Sequence, residues 1–250
     1  MPRHETTRLR HDTRRRTLTV ASIEPLGASM RRLVFTAPEL ADFVSAAPDD
    51  HIKLFFPMPD GGTAMRDFTP RRFDRAACAL TIDFALHEAG PATAWAAAAQ
   101  VGDRLDIGGP RGSVVVPDDF DWYLLIGDET ALPAIGRRVE EARPAVPVIT
   151  LAVVNGTADE QQFASAADWR GHWVHRAGVG TDDAALLLAA LGAITLPQGE
   201  GYIWIAAETN VARALRHDVE TRLGHPRAWL KAAGYWTRGH ADAPDKTLDG

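Results

Sequence analysis

The chain has little of several things, and each shortage excludes something. Its one cysteine, Cys78, rules out an intramolecular disulfide and any iron–sulfur cluster held by cysteines alone. Of its 27 basic residues only Lys53, Lys231 and Lys246 are lysines, so the setting of each lysine is worth reading. No apolar run approaches the roughly 18–20 residues that cross a bilayer, and membrane insertion is not expected. The histidines show no His-x-x-x-His spacing and the lone cysteine allows no Cys-x-x-Cys, so no bound metal is expected. A formal charge of −6 argues against a general nucleic-acid binder. The first sixteen residues hold six arginines with no apolar core behind them. That segment reads as a flexible arm, not a secretion signal, and the protein as cytoplasmic and monomeric.

The patterning divides near residue 118. Ahead of it, short strand-like runs are separated by turns, at Thr17–Ile23, Arg31–Thr36, His51–Phe56, Ala79–Leu86, Arg104–Ile107 and Ser113–Val116. Six such runs with a single helix predict a small closed antiparallel barrel. Beyond it, continuous apolar strands at Trp122–Gly127, Val148–Asn155 and Tyr202–Ala207, with a third strand in chain order expected at the more polar Trp169–Arg176, alternate with helices over about 131–142, 182–191 and 210–223. Strands apolar throughout and alternating with helices predict a parallel sheet covered on both faces. The expected organisation is an arm over 1–16, a barrel over 17–118 and an α/β domain over 119–250.

Chemistry concentrates in Met65-Arg66-Asp67-Phe68-Thr69-Pro70-Arg71, which sets an aromatic ring between two guanidinium groups with a threonine beside it. A flavin asks for that set: a flat apolar face, short polar groups and fixed positive charge for phosphate. Arginine suits phosphate because its planar fork can bind two oxygens at once. Pro70 stiffens the backbone and biases Thr69 toward an extended conformation. The competing reading is a surface turn rich in arginine. Further on, a strand ending at His87 meets Gly90-Pro91, and Thr93 precedes an alanine-rich helix where an N-cap belongs. Free N–H groups at a helix start attract anions, although an ordinary strand-to-helix turn looks the same. A glycine-rich loop, Gly108-Gly109-Pro110-Arg111-Gly112-Ser113, follows.

The second half lacks Gly-x-Gly-x-x-Gly, which counts against the common dinucleotide fingerprint but not against a ligand at the carboxyl ends of parallel strands. Gly127-Asp128-Glu129-Thr130 closes the first such strand and Ala206-Ala207-Glu208-Thr209 the fourth. Helix capping by Asp128, Thr130 or Asn210 is the alternative reading.

Taken in order, the Arg-x-aromatic-Thr-Pro-Arg segment, His87…Gly90-Pro91-Ala92-Thr93-x-Trp95, Gly109-Pro110-Arg111-Gly112-Ser113, Gly127 to Ile135, and Gly234-Tyr235-Trp236-x-Arg238-Gly239 resemble the siderophore-interacting protein family. These are FAD-dependent NAD(P)H ferric-siderophore reductases, and the resemblance runs from about residue 17 to about residue 240. It departs at Phe68, where tyrosine is usual, and at Thr93, where serine is common. The resemblance implies a ferredoxin-reductase-like plan with a flavin barrel followed by a nicotinamide domain. It implies an FAD site of Arg66, Phe68, Thr69, Arg71, Asp83, His87, Ala92, Thr93, Trp95, Gly112 and Ser113, and an NAD(P)H site of Gly127, Asp128, Glu129, Thr130 and Glu208. It also implies Tyr235 and Trp236 beside the flavin, and Lys53, Arg138, Lys231 and Arg238 as a basic cleft for an anionic ferric siderophore. Electrons would pass from NADPH or NADH through FAD to chelated Fe(III), released as Fe(II), with no protein acid or base required.

Two other classes remain compatible with the residues. One is an NAD(P)H-flavin reductase or electron carrier whose acceptor is not a siderophore. The other is a siderophore-binding protein without redox activity.

Overall fold

The structure, a computed structural model, describes residues 4–86, 90–178 and 180–239. It divides into two units, residues 5–117 and the residues from Asp118 onward together with the N-terminal end at His4.

The N-terminal unit contains β1 (Thr7–Arg10), β2 (Arg15–Leu26), β3 (Met30–Thr36), β4 (Ile52–Pro57), β5 (Thr63–Phe68), β6 (Arg72–Asp74), β7 (Ala79–Ala85), helix α1 (Pro91–Ala98), β8 (Arg104–Gly108) and β9 (Gly112–Val115). Seven of the strands form one antiparallel sheet in the order β5-β4-β8-β2-β3-β7-β6, and β1 pairs separately with β9. Period-two alternation builds the core: Leu33 and Phe35 of β3, Ile52, Leu54 and Phe56 of β4, Leu80, Ile82 and Phe84 of β7, and Leu105 and Ile107 of β8 all turn to one side. All six expected strands are present, joined by three that the patterning did not reveal.

The C-terminal unit holds β10 (Trp122–Gly127), α2 (Leu132–Glu141), β11 (Pro147–Val154), β12 (Asp168–His175), α3 (Asp183–Ala193), β13 (Gly201–Glu208), α4 (Thr209–Thr221) and β14 (Leu230–Trp236). All pairings are parallel, in the order β12-β11-β10-β13-β14. The order reverses at β10, so a crevice opens at the carboxyl ends of β10 and β13. Alternate residues of β10, β11 and β13 pack with Leu187 and Leu191 of α3 and Val211, Leu215 and Val219 of α4. The segment from Lys231 to Trp236, expected only as a terminal motif, is the fifth strand.

Residues 7–16, expected as part of a flexible arm, are instead paired. Backbone hydrogen bonds to β9 and β8 hold β1 and the start of β2. His4 is buried in the C-terminal unit, stacked on Phe120 with ring centroids 3.8 Å apart and set between Asp119 and Glu200 at 2.6 and 3.1 Å. Among the described residues no helix is long and apolar enough to cross a membrane, and no group of three His, Cys, Asp or Glu is placed to hold a metal.

Candidate functional site

In the N-terminal unit β5 is the edge strand that carries Arg66 and Phe68, and the chain then turns through Thr69 and Pro70 to Arg71. Phe68 alternates with Ala64 toward the core and rests on Phe84, centroids 4.6 Å apart, with its ring half-buried. Thr69 and Arg71 are nearly covered, at 8% and 5% exposure. The Arg71 N–H donates to Thr81 O, which anchors the turn to β7.

Asp83 lies next on β7, with 3% of its surface exposed. Its carboxylate is taken by Arg32 of β3, Nε to Oδ1 at 2.7 Å and Nη2 to Oδ2 at 2.8 Å, while Arg71 Nε stands 3.8 Å from Oδ2. Asp83 therefore faces arginine. Nothing in the sequence pointed to Arg32, because its partner lies 51 residues away.

Helix α1 begins at Pro91, with Gly90 as its N-cap and no side chain capping it. Thr93 is thus in the first turn instead of at the cap, because proline fits the first helical position and glycine the extended cap before it. No side-chain hydrogen bond caps the first turn that holds Ala92 and Thr93. Trp95 packs on the core among Phe35, Phe56 and Phe84, so its ring fastens α1 to the barrel. His87 lies outside the described residues.

The glycine-rich loop behaves differently from expectation. A Cβ on Gly112 would sit 2.3 Å from Leu9 O, so this glycine is needed for the close pairing with β1. The Ser113 hydroxyl donates to Asp50 at 2.6 Å, accepts from Ala46 N and meets His11 Nε2 at 2.7 Å. Its bonding is spent inside the protein. Two arginines, a half-exposed ring and an uncapped helix start nevertheless form a donor set suited to an aromatic, anionic dinucleotide, and FAD fits that description.

Of the four residues expected as a basic cleft, Lys53 lies in the N-terminal unit and Arg138, Lys231 and Arg238 in the C-terminal unit. Lys53 of β4 bonds Asp67 directly across on β5 at 2.7 Å. Alternation puts that pair on the opposite face of the hairpin from Arg66 and Phe68. In the C-terminal unit Arg138 lies over the Tyr123 ring at 4.5 Å. Burial, opposed by Arg138 nearby, pushes the Tyr123 phenol up to about 12. Tyr123 is near the start of β10 and Arg238 donates its N–H to Glu208 at the end of β13. Tyr123 pairs with Tyr202, six residues before Glu208 and roughly 20 Å away at about 3.3 Å per residue, so Arg138 does not join Arg238. Lys231 is in register with Trp204, well before the carboxyl edge, and Tyr235 meets the Trp204 ring edge-on at 6.0 Å.

At the carboxyl edge the expected acids are present but turned inward. Asp128, 1% exposed, accepts from Thr130 N and Oγ1 through Oδ1, and from Glu208 N and Trp236 Nε1 through Oδ2, both at 2.9 Å. One carboxylate thus ties together the ends of β10, β13 and β14. Glu208 caps α4 by accepting from Asn210 and Val211. Glu129 is held by Arg176 at 2.8 and 3.0 Å, and Arg176 also binds Asp183 and Asn155. Burial, and then the charge of Asp128, raise the Glu129 carboxyl above its usual range against the pull of Arg176. Arg176, like Arg32, escaped sequence reading.

Helix α2 starts with Ala131 as N-cap and no side-chain cap, and has no acidic residue in its first turn. A Cβ on Gly127 would lie 2.4 Å from both Ala131 Cβ and Ala206 O, so glycine alone lets strand and helix approach this closely. The N–H groups of Thr130, Ala131 and Leu132 are bonded within the turn, so what suits an anionic dinucleotide here is a helix start free of acidic side chains beside a glycine, at the switch point of a parallel sheet.

Comparison with known proteins agrees over both units. Residues 120–239 match the family described as siderophore-interacting protein, and residues 19–65 and 60–114 match the siderophore-interacting FAD-binding domain. An NADPH-dependent ferric-chelate reductase of Escherichia coli is 34% identical over 250 residues, covering 92% of this chain and 95% of the relative. A ferric vibriobactin reductase of Vibrio cholerae is 26% identical over 233 residues, 84% of this chain and 85% of the relative. The crystal structure of a siderophore utilization protein from T. fusca superposes with a TM-score of 0.88 at 34% identity, covering 96% of this chain and 98% of that one.

Proposed function

The chain belongs to the siderophore-interacting protein family, and on that footing we propose that it reduces siderophore-bound Fe(III) to Fe(II) with electrons from NAD(P)H passed through FAD, acting as a monomer in the cytoplasm. The observation that carries the reading is the turn that delivers a half-exposed Phe68, a covered Thr69 and a covered Arg71 beside β7. When bound, FAD supplies the conversion of a two-electron hydride into single electrons for iron. Arg71, with Arg66, holds the phosphates beside the start of α1. Phe68, braced by Phe84, presents the flat surface. Gly127 and the start of α2, whose first turn carries no acidic side chain, would face the nicotinamide dinucleotide, while Asp128 and Glu208 fix the backbone there. Lys53, its amine shared with Asp67, lends charge to an anionic substrate.

The test is spectroscopic. The purified chain should show a flavin absorption band that anaerobic NADPH bleaches and that a ferric siderophore restores, with Fe(II) captured by a ferrous chelator. A colourless protein, or a reduced one that ferric siderophore does not reoxidise, overturns the proposal.

A further inference from the structure

Helix α2 has no acid in its first turn, yet Asp128 and Glu129 stand just ahead of its N-cap. A carboxylate is favoured at a helix start, and one lying there would occupy the place of an anionic ligand and repel it. Asp128 has both oxygens taken, one by Thr130 and the other by Glu208 N and Trp236 Nε1 on the β13-β14 side of the sheet. Glu129 turns to the β12 side, where Arg176 holds it. Arg176 directly follows β12, and its backbone N–H donates to Val154 O at the end of β11. Nη1 and Nη2 each bond one oxygen of Glu129, at 3.0 and 2.8 Å, a fork-to-fork pairing. Asp183, the first residue of α3, takes Nε and Nη2, and Asn155 takes Nη1. These bonds occupy all five N–H groups of the guanidinium. The side chains of Arg176, Glu129 and Asp183 are 14%, 8% and 4% exposed, so the charge of Glu129 is met by arginine and scarcely by water.

We infer that Arg176 is a positioning residue for the nicotinamide dinucleotide: by holding Glu129 to the β12 side, it keeps a carboxylate away from the start of α2. Without Arg176 the Glu129 carboxylate, next in the chain to buried Asp128, is unpaired and turns to the positive end of the helix, where it repels the pyrophosphate. Arg176 itself does not bind phosphate, because its donors are used. It acts on the dinucleotide only through Glu129. This inference rests on the dinucleotide lying against the start of α2, and the experiment separates the two.

The full-length chain, loaded with FAD, is titrated with NADP+ and binding is read by calorimetry. Arg176→Met should weaken NADP+ by about tenfold, the scale of one like charge in a partly screened site. That loss should shrink as the ionic strength rises from about 0.05 M to about 0.5 M. Glu129→Gln, which keeps the shape and removes the charge, should bind NADP+ at least as tightly as wild type. R176M/E129Q should return to within about threefold of wild type, because no acid remains to turn toward the helix. A merely structural role for the Arg176–Glu129 pair predicts the reverse: E129Q would weaken binding, the double variant would be no better than R176M, and salt would not alter the loss. R176M with wild-type affinity, a weakened E129Q, a double variant without recovery, or a loss unmoved by salt each overturns the inference. Thr130→Glu decides the underlying reading, because it sets an acid at the start of α2. If T130E binds NADP+ like wild type, the dinucleotide lies elsewhere and both readings fall; if T130E loses NADP+ and R176M does not, only the role of Arg176 fails. Should R176M not fold, R176Q carries the same arms with the same outcomes.

Discussion

Replacing Asp128 with alanine tests whether the acids at the carboxyl edge act as braces. The carboxylate accepts from Thr130 N and Oγ1, Glu208 N and Trp236 Nε1. Trp236 and Thr130 are partly accessible and can turn to water, so their loss is small. The Glu208 N–H is buried at the junction of β13 and α4, and leaving it unsatisfied costs about 1–3 kcal/mol. With the weakened tie to β14, D128A should lose about 3–4 kcal/mol, at the upper end for single substitutions. At about 2–4 °C per kcal/mol for a domain of this size, the melting point should fall by roughly 6–16 °C. Thermal unfolding followed by tryptophan fluorescence reads this directly, because Trp236 donates to the missing carboxylate. Flavin content should stay near wild type while NADPH-driven bleaching slows, because only the C-terminal unit is disturbed. Unfolding within about 1 kcal/mol of wild type, together with unchanged bleaching, would refute the brace; loss of flavin would refute the division of labour between the units.

Gly127→Ala places a Cβ against backbone at Ala206 O, which cannot shift cheaply. It should destabilise by about 1–3 kcal/mol and slow bleaching by NADPH, while Gly90→Ala, open to space on all sides, should leave stability nearly unchanged. Lys53→Ala should raise KM for an anionic ferric siderophore by only about twofold to fivefold, because Asp67 already shares that charge and exposed pairs are worth up to about 1 kcal/mol. Asp67→Asn should lower KM, and both effects should fade with added salt; KM values unmoved by either substitution would remove Lys53 from substrate binding. Burial depresses the pKa of His225, opposed by its bond to Trp229 O. The unfolded chain therefore takes up the proton first as pH falls below about 6.5. His225 contributes stability above that pH and loses it through mild acid. Urea unfolding at about pH 7.5 and about pH 5.5 should show His225→Gln with a shallower decline than wild type.

The central parallel strands β10, β11 and β13 were legible almost to the residue, because a strand buried on both faces is apolar at nearly every position. Trp122–Gly127 and Tyr202–Ala207 could be nothing else of that length. The strands that escaped are those whose side chains meet water or each other. β1 is exposed at all four positions. β5 carries Arg66 and Asp67 on a sheet edge, and β14 reads Leu-Lys-Ala-Ala-Gly-Tyr-Trp, a composition with no strand signature. Site positions were legible but their directions were not. Asp83, Ser113, Asp128, Glu129 and Glu208 were all expected to face ligands, and all five bond within the protein. Their partners depend on register, and Arg176 lies 47 residues from Glu129.

Those inward-facing acids share one electrostatic logic. The chain is acidic overall, yet both of its dinucleotides are anionic, and an unpaired carboxylate near either phosphate would repel it. The structure neutralises each such acid locally. Arg32 covers Asp83, Arg176 covers Glu129, and backbone N–H groups cover Asp128 and Glu208. Arginine serves here because its fork satisfies both oxygens of a carboxylate and stays charged when buried, which gives the scarcity of lysine a structural use. Neither α1 nor α2 has a side-chain cap or an acidic residue in its first turn. Acids in these positions therefore mark the sites indirectly: each fixes the backbone or the arginine that does the binding, and the charge presented to the ligand is positive although most of the nearby sequence is not.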